Sequence, residues 1–191
     1  MIYTSTKKCV VVAILCGLFI TTYSSAADGL VSLSGEFSSG GVINKSKDYK
    51  AFVGQLKSKD YPASNLGLGA GAAIIFLNTL GIDADVFFLG GMQRYGWGPL
   101  ARVSVGSLLF EGRWSTGTLQ IPFDDPVGKP QSVNVKVNYW SIFAGYKTGK
   151  ITSVGLKFSR VAVAESKTAN IYPISSSGYY DLAMLALLAT F

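Results

Sequence analysis

The chain has 191 residues, with Lys+Arg 17 against Asp+Glu 11, 22 glycines, no histidine, and 49% hydrophobic but only 15% charged residues. That length suits a single all-β domain, and the composition is too apolar for disorder and too rich in glycine for a helical bundle. The absence of histidine removes the usual general base, the commonest metal ligand and every Ser-His or Cys-His nucleophile pair.

Lys7 and Lys8 precede an apolar run from Cys9 to Ile20, and small residues lead to Ala26 and Ala27. Basic, apolar and small-residue regions in that order predict a secretory signal peptide over 1–27, with the mature domain at 28–191. The run is 12 residues, short of the ~20 that a spanning helix needs. Removing the signal takes both cysteines with it, so no disulfide is available to the mature chain.

Segments rich in Val, Ile, Phe, Tyr and Gly, punctuated by turn residues, predict strands at 28–38, 64–77, 82–92, 97–109, 113–122, 132–147, 151–164 and 179–191. The connections at 39–63, 123–131 and 165–178 are long, and those at 78–81, 93–96, 110–112 and 148–150 short. Four strands alternate strictly. Val31, Leu33 and Phe37 oppose Ser32, Ser34 and Glu36; Ile82, Ala84, Val86 and Phe88 oppose Asp83 and Asp85. Val133, Val135, Val137 and Tyr139 oppose Asn134, Lys136 and Asn138, and Val154, Leu156 and Phe158 oppose Ser153, Gly155, Lys157 and Ser159. One face of each strand suits hydrocarbon and the other polar company. The last segment is apolar on both faces, with Leu185 and Leu187 on one and Leu182, Met184 and Leu188 on the other, and residues 181–190 also have helical propensity.

Aromatics gather near strand ends, at Tyr95 and Trp97, Trp114, Tyr139 and Trp140, Tyr146, and Tyr179 and Tyr180, as interfacial girdles do. With the signal segment, eight long strands and a terminal Phe191, the chain resembles the small outer-membrane β-barrels of the OmpA-domain and OmpX type. The resemblance implies a closed, antiparallel, eight-stranded barrel in the outer membrane of a Gram-negative bacterium. It also implies a monomer, contact with outer-membrane lipids and lipopolysaccharide, and use of Phe191 as the signal read by the outer-membrane assembly machinery.

Functional candidates follow from that frame. The first connection carries Lys45, Lys47, Lys50, Lys57 and Lys59, a basic surface for lipopolysaccharide phosphates or a merely solvated loop. Asp124 and Asp125 are too few for a calcium site, and no aromatic-basic platform for nucleic acid is present. Asp83 and Asp85 read as lumen charges rather than a catalytic pair, so neither an enzyme nor a cofactor is expected. Counting along alternating strands places Glu36, Arg102 and Lys157 at one depth inside the barrel, where Glu36 should meet Arg102 or Lys157 with a second carboxylate or water balancing the rest. The expected role is structural or surface-interactive. Gly67, Gly69 and Gly71 on one strand face leave open a narrow channel or hydrophobic-ligand conduit, and a soluble periplasmic or secreted lipid-binding barrel would show the same alternation.

Overall fold

A computed structural model describes residues 31–55, 66–124, 130–164, 166–168 and 174–191. The predicted signal segment 1–27, Lys57, Lys59 and Asp125 lie outside the described residues. Eight strands close an antiparallel barrel: β1 (Val31–Lys45), β2 (Leu66–Phe76), β3 (Leu80–Leu89), β4 (Met92–Val105), β5 (Leu108–Asp124), β6 (Pro130–Lys147), β7 (Thr152–Val163) and β10 (Tyr179–Thr190). A two-stranded sheet of β8 (Ser166–Thr168) and β9 (Ile174–Ser176) sits in the connection before β10. Each predicted strand overlaps a barrel strand, and the last segment is extended despite its helical propensity.

Pairing partners define the barrel's shape. From Ser32 the ladder runs through Ile75, Gly81, Leu100, Arg113, Ser141, Ser159 and Leu182, and returns to β1 at Val42, a shear of ten residues. Eight strands at such a stagger tilt by roughly 35–45° and enclose an interior that side chains can fill. Leu33 and Phe191 exchange backbone hydrogen bonds of 2.9 and 2.8 Å at the foot of the seam between β1 and β10.

Two connections differ from expectation. The turns lie at Gly90–Gly91 and Gly106–Ser107, so 93–96 belongs to β4 and 110–112 to β5. Both turns use glycines at positive φ, 52° and 93° at Gly90 and Gly91 and 58° at Gly106, which side-chain-bearing residues resist. The charged and polar residues that suggested turns, Arg94 and Glu111 among them, instead point into the barrel.

The first connection is also shorter than expected, because 39–45 extends β1 and Lys47–Gln55 forms helix α1. Ser46 caps α1: its Oγ accepts from Tyr49 N at 3.1 Å and from Tyr179 N at 3.0 Å, tying the helix to the start of β10. Gly178, at φ 95°, permits this approach, since a Cβ there would lie 2.6 Å from Ser46 Oγ. Tyr49, Phe52 and Val53, at i, i+3 and i+4, are buried in the barrel mouth. Burial pushes the Tyr49 phenol above its ordinary range, and its hydroxyl donates to Met92 Sδ at 3.4 Å.

The barrel wall has two zones. In the half bearing the β2–β3 and β4–β5 turns, the exterior is exposed Leu33, Phe37, Phe76, Ile82, Phe110, Leu156, Leu185 and Leu187, while the interior holds the buried charges beside small apolar clusters. Trp97 and Trp114 are each about three-fifths exposed on the outside, and Trp114 pairs across the sheet with Trp140. Beyond this aromatic belt, on β5 and β6, the parity changes meaning. Thr116, Thr118, Gln120, Asn134, Lys136 and Asn138 face out, and Leu119, Ile121, Val135, Val137 and Tyr139 are buried inside against α1. The valines of β6, expected on a lipid-facing side, are therefore core residues, and Tyr139 and Tyr180 are interior rather than girdle residues.

Candidate functional site: the filled lumen

Polar parity on five of the eight strands brings four carboxylates and four cations among the described residues into the lumen: Glu36, Asp83, Asp85 and Glu111 with Arg94, Arg102, Arg113 and Lys157. Removing an isolated ion from water costs several kcal/mol, so such groups persist only when paired. Here the charges balance, and each is part of an ion pair.

The network crosses the barrel. Glu36 on β1 lies opposite β5 in the strand order, and its Oε2 meets Arg113 Nη1 at 2.6 Å. Its Oε1 meets Lys157 Nζ on β7 at 2.5 Å. Arg113 Nη2 continues to Glu111 Oε2 at 2.6 Å, and Glu111 Oε1 accepts from Arg102 Nε at 2.7 Å. Asp83 lies 3.5 Å from Arg113 Nη1 and from Ser115 Oγ. Five side chains thus form one chain of alternating charge from β7 through β1 and β5 to β4, with Arg113 as the strut across the diameter.

The three residues singled out from the sequence separate into two parts of this network. Glu36 and Lys157 meet directly. Arg102 does not reach Glu36: the β4–β5 turn at Gly106–Ser107 leaves it only a few residues from that end of the barrel, where it bonds Thr190 Oγ1 at 2.9 Å and Ser34 Oγ at 3.0 Å. Its carboxylate partner is Glu111, which the misplaced turn at 110–112 had hidden. Arg94 was missed for the same reason, and Arg113 stood at the start of a predicted strand without being assigned to the cluster, although the inward parity of β4 and β5 carries the signal.

Above this layer Arg94 donates to Asp85 Oδ2 at 2.8 Å, and Tyr139 Oη donates to Asp85 Oδ1. The Arg94 guanidinium stacks 4.0 Å from the Tyr139 ring centre and 5.5 Å from that of Phe87. Asp83 and Asp85 are thus engaged with arginines and hydroxyls. The glycine face of β2 is occupied too: a Cβ on Gly69 would lie 2.6 Å from the Phe87 ring, and one on Gly67 2.8 Å from it. The missing side chains make room for Phe87 rather than for a passage. Leu109, Phe143, Ala186 and Leu188 fill the space toward the opposite end, which explains the apolar inner face of β10.

No protein-family model matches the sequence, and no curated protein matches it either. Solved structures do. Neisserial surface protein A superposes with a TM-score of 0.56 at 6% identity, over 85% of this chain and 98% of that one. The N-terminal β-barrel domain of Pseudomonas aeruginosa OprF gives 0.50 at 5% identity, over the same shares of the two chains. The fold is that of small outer-membrane β-barrels. Closure pairs the sheet's backbone and the turn-bearing half carries an apolar exterior, so the barrel is built to sit in the outer membrane.

The Glu36–Lys157 pair gives a direct energetic check. Glu36→Gln leaves Lys157 buried without its nearest carboxylate and is expected to cost about 3–5 kcal/mol in urea unfolding of the refolded barrel. Adding Lys157→Met should recover most of that loss. A double variant as unstable as the sum of the two single variants would show that the pair is not coupled.

Proposed function

We propose that this is a sealed, monomeric barrel whose role is structural and surface-interactive, anchoring α1 and the long connections at the cell surface. In this orientation α1 and the connections after β5 and β7 face outward, and the three short turns at 77–79, 106–107 and 148–151 face the periplasm. One observation carries the reading: the lumen is crossed by a charge-balanced chain of ion pairs and then filled by an apolar core that α1 completes. A permeating ion would have to separate buried partners and then pass Leu89, Met92, Leu119, Tyr180 and the inserted side chains of α1. A general diffusion pore or a hydrophobic conduit needs open volume where Phe87, Phe143 and α1 stand. No catalytic role is assigned, and the partners proposed are outer-leaflet lipids, lipopolysaccharide and the assembly machinery.

Purified, refolded protein in planar bilayers is expected to give no unitary conductance steps, and Arg102→Ala, which leaves the Glu36–Arg113 strut in place, none either. Stable steps in the wild-type barrel would favour the channel. We assign Phe191 to assembly, supported by its parity with outward Leu185 and Leu187 and its backbone pairing with Leu33 where the barrel closes. Deleting Phe191 should lower the heat-modifiable, folded fraction in the membrane while export continues, and unchanged assembly would remove that role.

A further inference from the structure

The outer wall carries an arginine that the sealed lumen does not use. Arg160 on β7 points outward, between Trp140 on β6 and Asp181 on β10, its partners across the two ladders. Its Nε and Nη2 donate to Asp181 Oδ1 and Oδ2 at 2.7 and 3.1 Å. Its guanidinium lies 4.3 Å from the Tyr179 ring centre and 6.0 Å from that of Trp140. The ion pair is lopsided: the arginine side chain is 39% exposed and the aspartate 4%. Asn44 Nδ2 also donates to Asp181, at 3.1 Å. The carboxylate is therefore consumed within the wall as a bracket, and what the surroundings meet is an oriented guanidinium.

Its height on the wall defines the ligand. One step toward the periplasmic end, Phe158 packs against Trp140 with ring centres 5.5 Å apart, followed by exposed Leu156 and Val154. That surface suits acyl chains. Toward the α1 end the wall becomes amide and hydroxyl: Thr116 pairs with Asn138, Thr118 with Lys136, and Gln120 with Asn134, all facing outward. Gln120 Nε2 also donates to Ser132 Oγ at 3.0 Å. Hydrocarbon, then a fixed cation, then several rows of neutral hydrogen-bonding groups and one lysine match a lipid with acyl chains, a phosphate and a saccharide extending beyond it. The polar rows continue past the arginine through three cross-strand pairs, further than a glycerol headgroup needs.

We propose that the β5–β7 and β10 wall is a lateral binding site for a phosphorylated glycolipid of the outer leaflet, with Arg160 holding the phosphate and Asn138, Thr116 and Lys136 lining the saccharide side. The site rests on the reading of the barrel as an outer-membrane protein with α1 outside. It assigns lipid recognition to the wall, whereas the sequence had suggested the lysines of the first connection.

The full chain would be refolded into phosphatidylcholine vesicles containing bisphosphorylated lipid A, its dephosphorylated form, or phosphatidylglycerol. Two quantities would be followed: the temperature at which the compact form seen on unheated gels is lost, and the lipid retained in native mass spectra. Lipid A should raise the temperature. Arg160→Ala should abolish that increment and weaken retention about tenfold or more, the worth of a charge-assisted hydrogen bond. Lys50→Ala, on the exposed face of α1, should leave the increment intact. An Arg160→Ala variant less stable in every vesicle but with the lipid A increment preserved would overturn the site, leaving the residue a structural role only. Equal increments from dephosphorylated lipid A or phosphatidylglycerol would overturn the glycolipid assignment. Failure to insert into any vesicle would overturn the membrane reading itself, and this site with it.

Discussion

A barrel of eight strands with a shear of ten is too narrow to hold bulk water, and that limit governs what its inner face can be. Polar parity supplies ionised groups to a space that cannot hydrate them. Each must find a counter-charge across or along the wall, and the number of carboxylates must match the number of cations. The Glu36–Arg113 contact, joining opposite strands, meets that condition across the lumen, and the pairs of Lys157, Glu111, Arg102, Asp85 and Arg94 are arranged around it. Closure of the sheet and closure of the lumen are therefore one requirement seen from two sides.

The same wall solves a second problem beyond the aromatic belt. There the exterior on β5 and β6 faces water, so a polar interior would leave these strands with no apolar core. Leu119, Ile121, Val135 and Val137 turn inward instead, and α1 contributes Tyr49, Phe52 and Val53 to the core they form. On β5 and β6 the strands thus run from a membrane-type wall into a soluble-type one, whereas on β1 and β2 the exterior stays apolar at Ile43, Leu66 and Leu68. This division places Arg160 at the seam, where a residue on the outer wall has hydrocarbon on one side and water on the other.

Much of this was legible in the residues and some was not, for identifiable reasons. Alternation in β1, β3 and β7 fixes which side chains share a face, and that places Glu36 beside Lys157. Alternation carries no label for inside and outside. In β6 the valines look identical to lipid-facing residues, and only the water-facing position of Asn134, Lys136 and Asn138 reverses the assignment. Turns were misplaced where strands carry lumen charges, because Arg94 and Glu111 in sequence look like solvent-exposed punctuation. The glycines at 90, 91 and 106 were the better signal, since a tight turn needs positive φ and a buried ion does not. Helix α1 also left a trace, the spacing of Tyr49, Phe52 and Val53 behind a capping Ser46, masked by the basic residues on its exposed side.

The central claim is that β5 and β6 pass from lipid to water at the aromatic belt, so that their outward residues beyond it meet a different solvent from the apolar wall below it. Single cysteines placed outward on residues 28–191, which contain none, at Asn134 and Lys136 beyond the belt and at Leu156 and Leu185 below it, can be exposed to a membrane-impermeant maleimide in vesicles holding the refolded barrel. The account predicts rapid labelling at 134 and 136 and protection at 156 and 185. Protection at 134, or rapid labelling at 156, would contradict it.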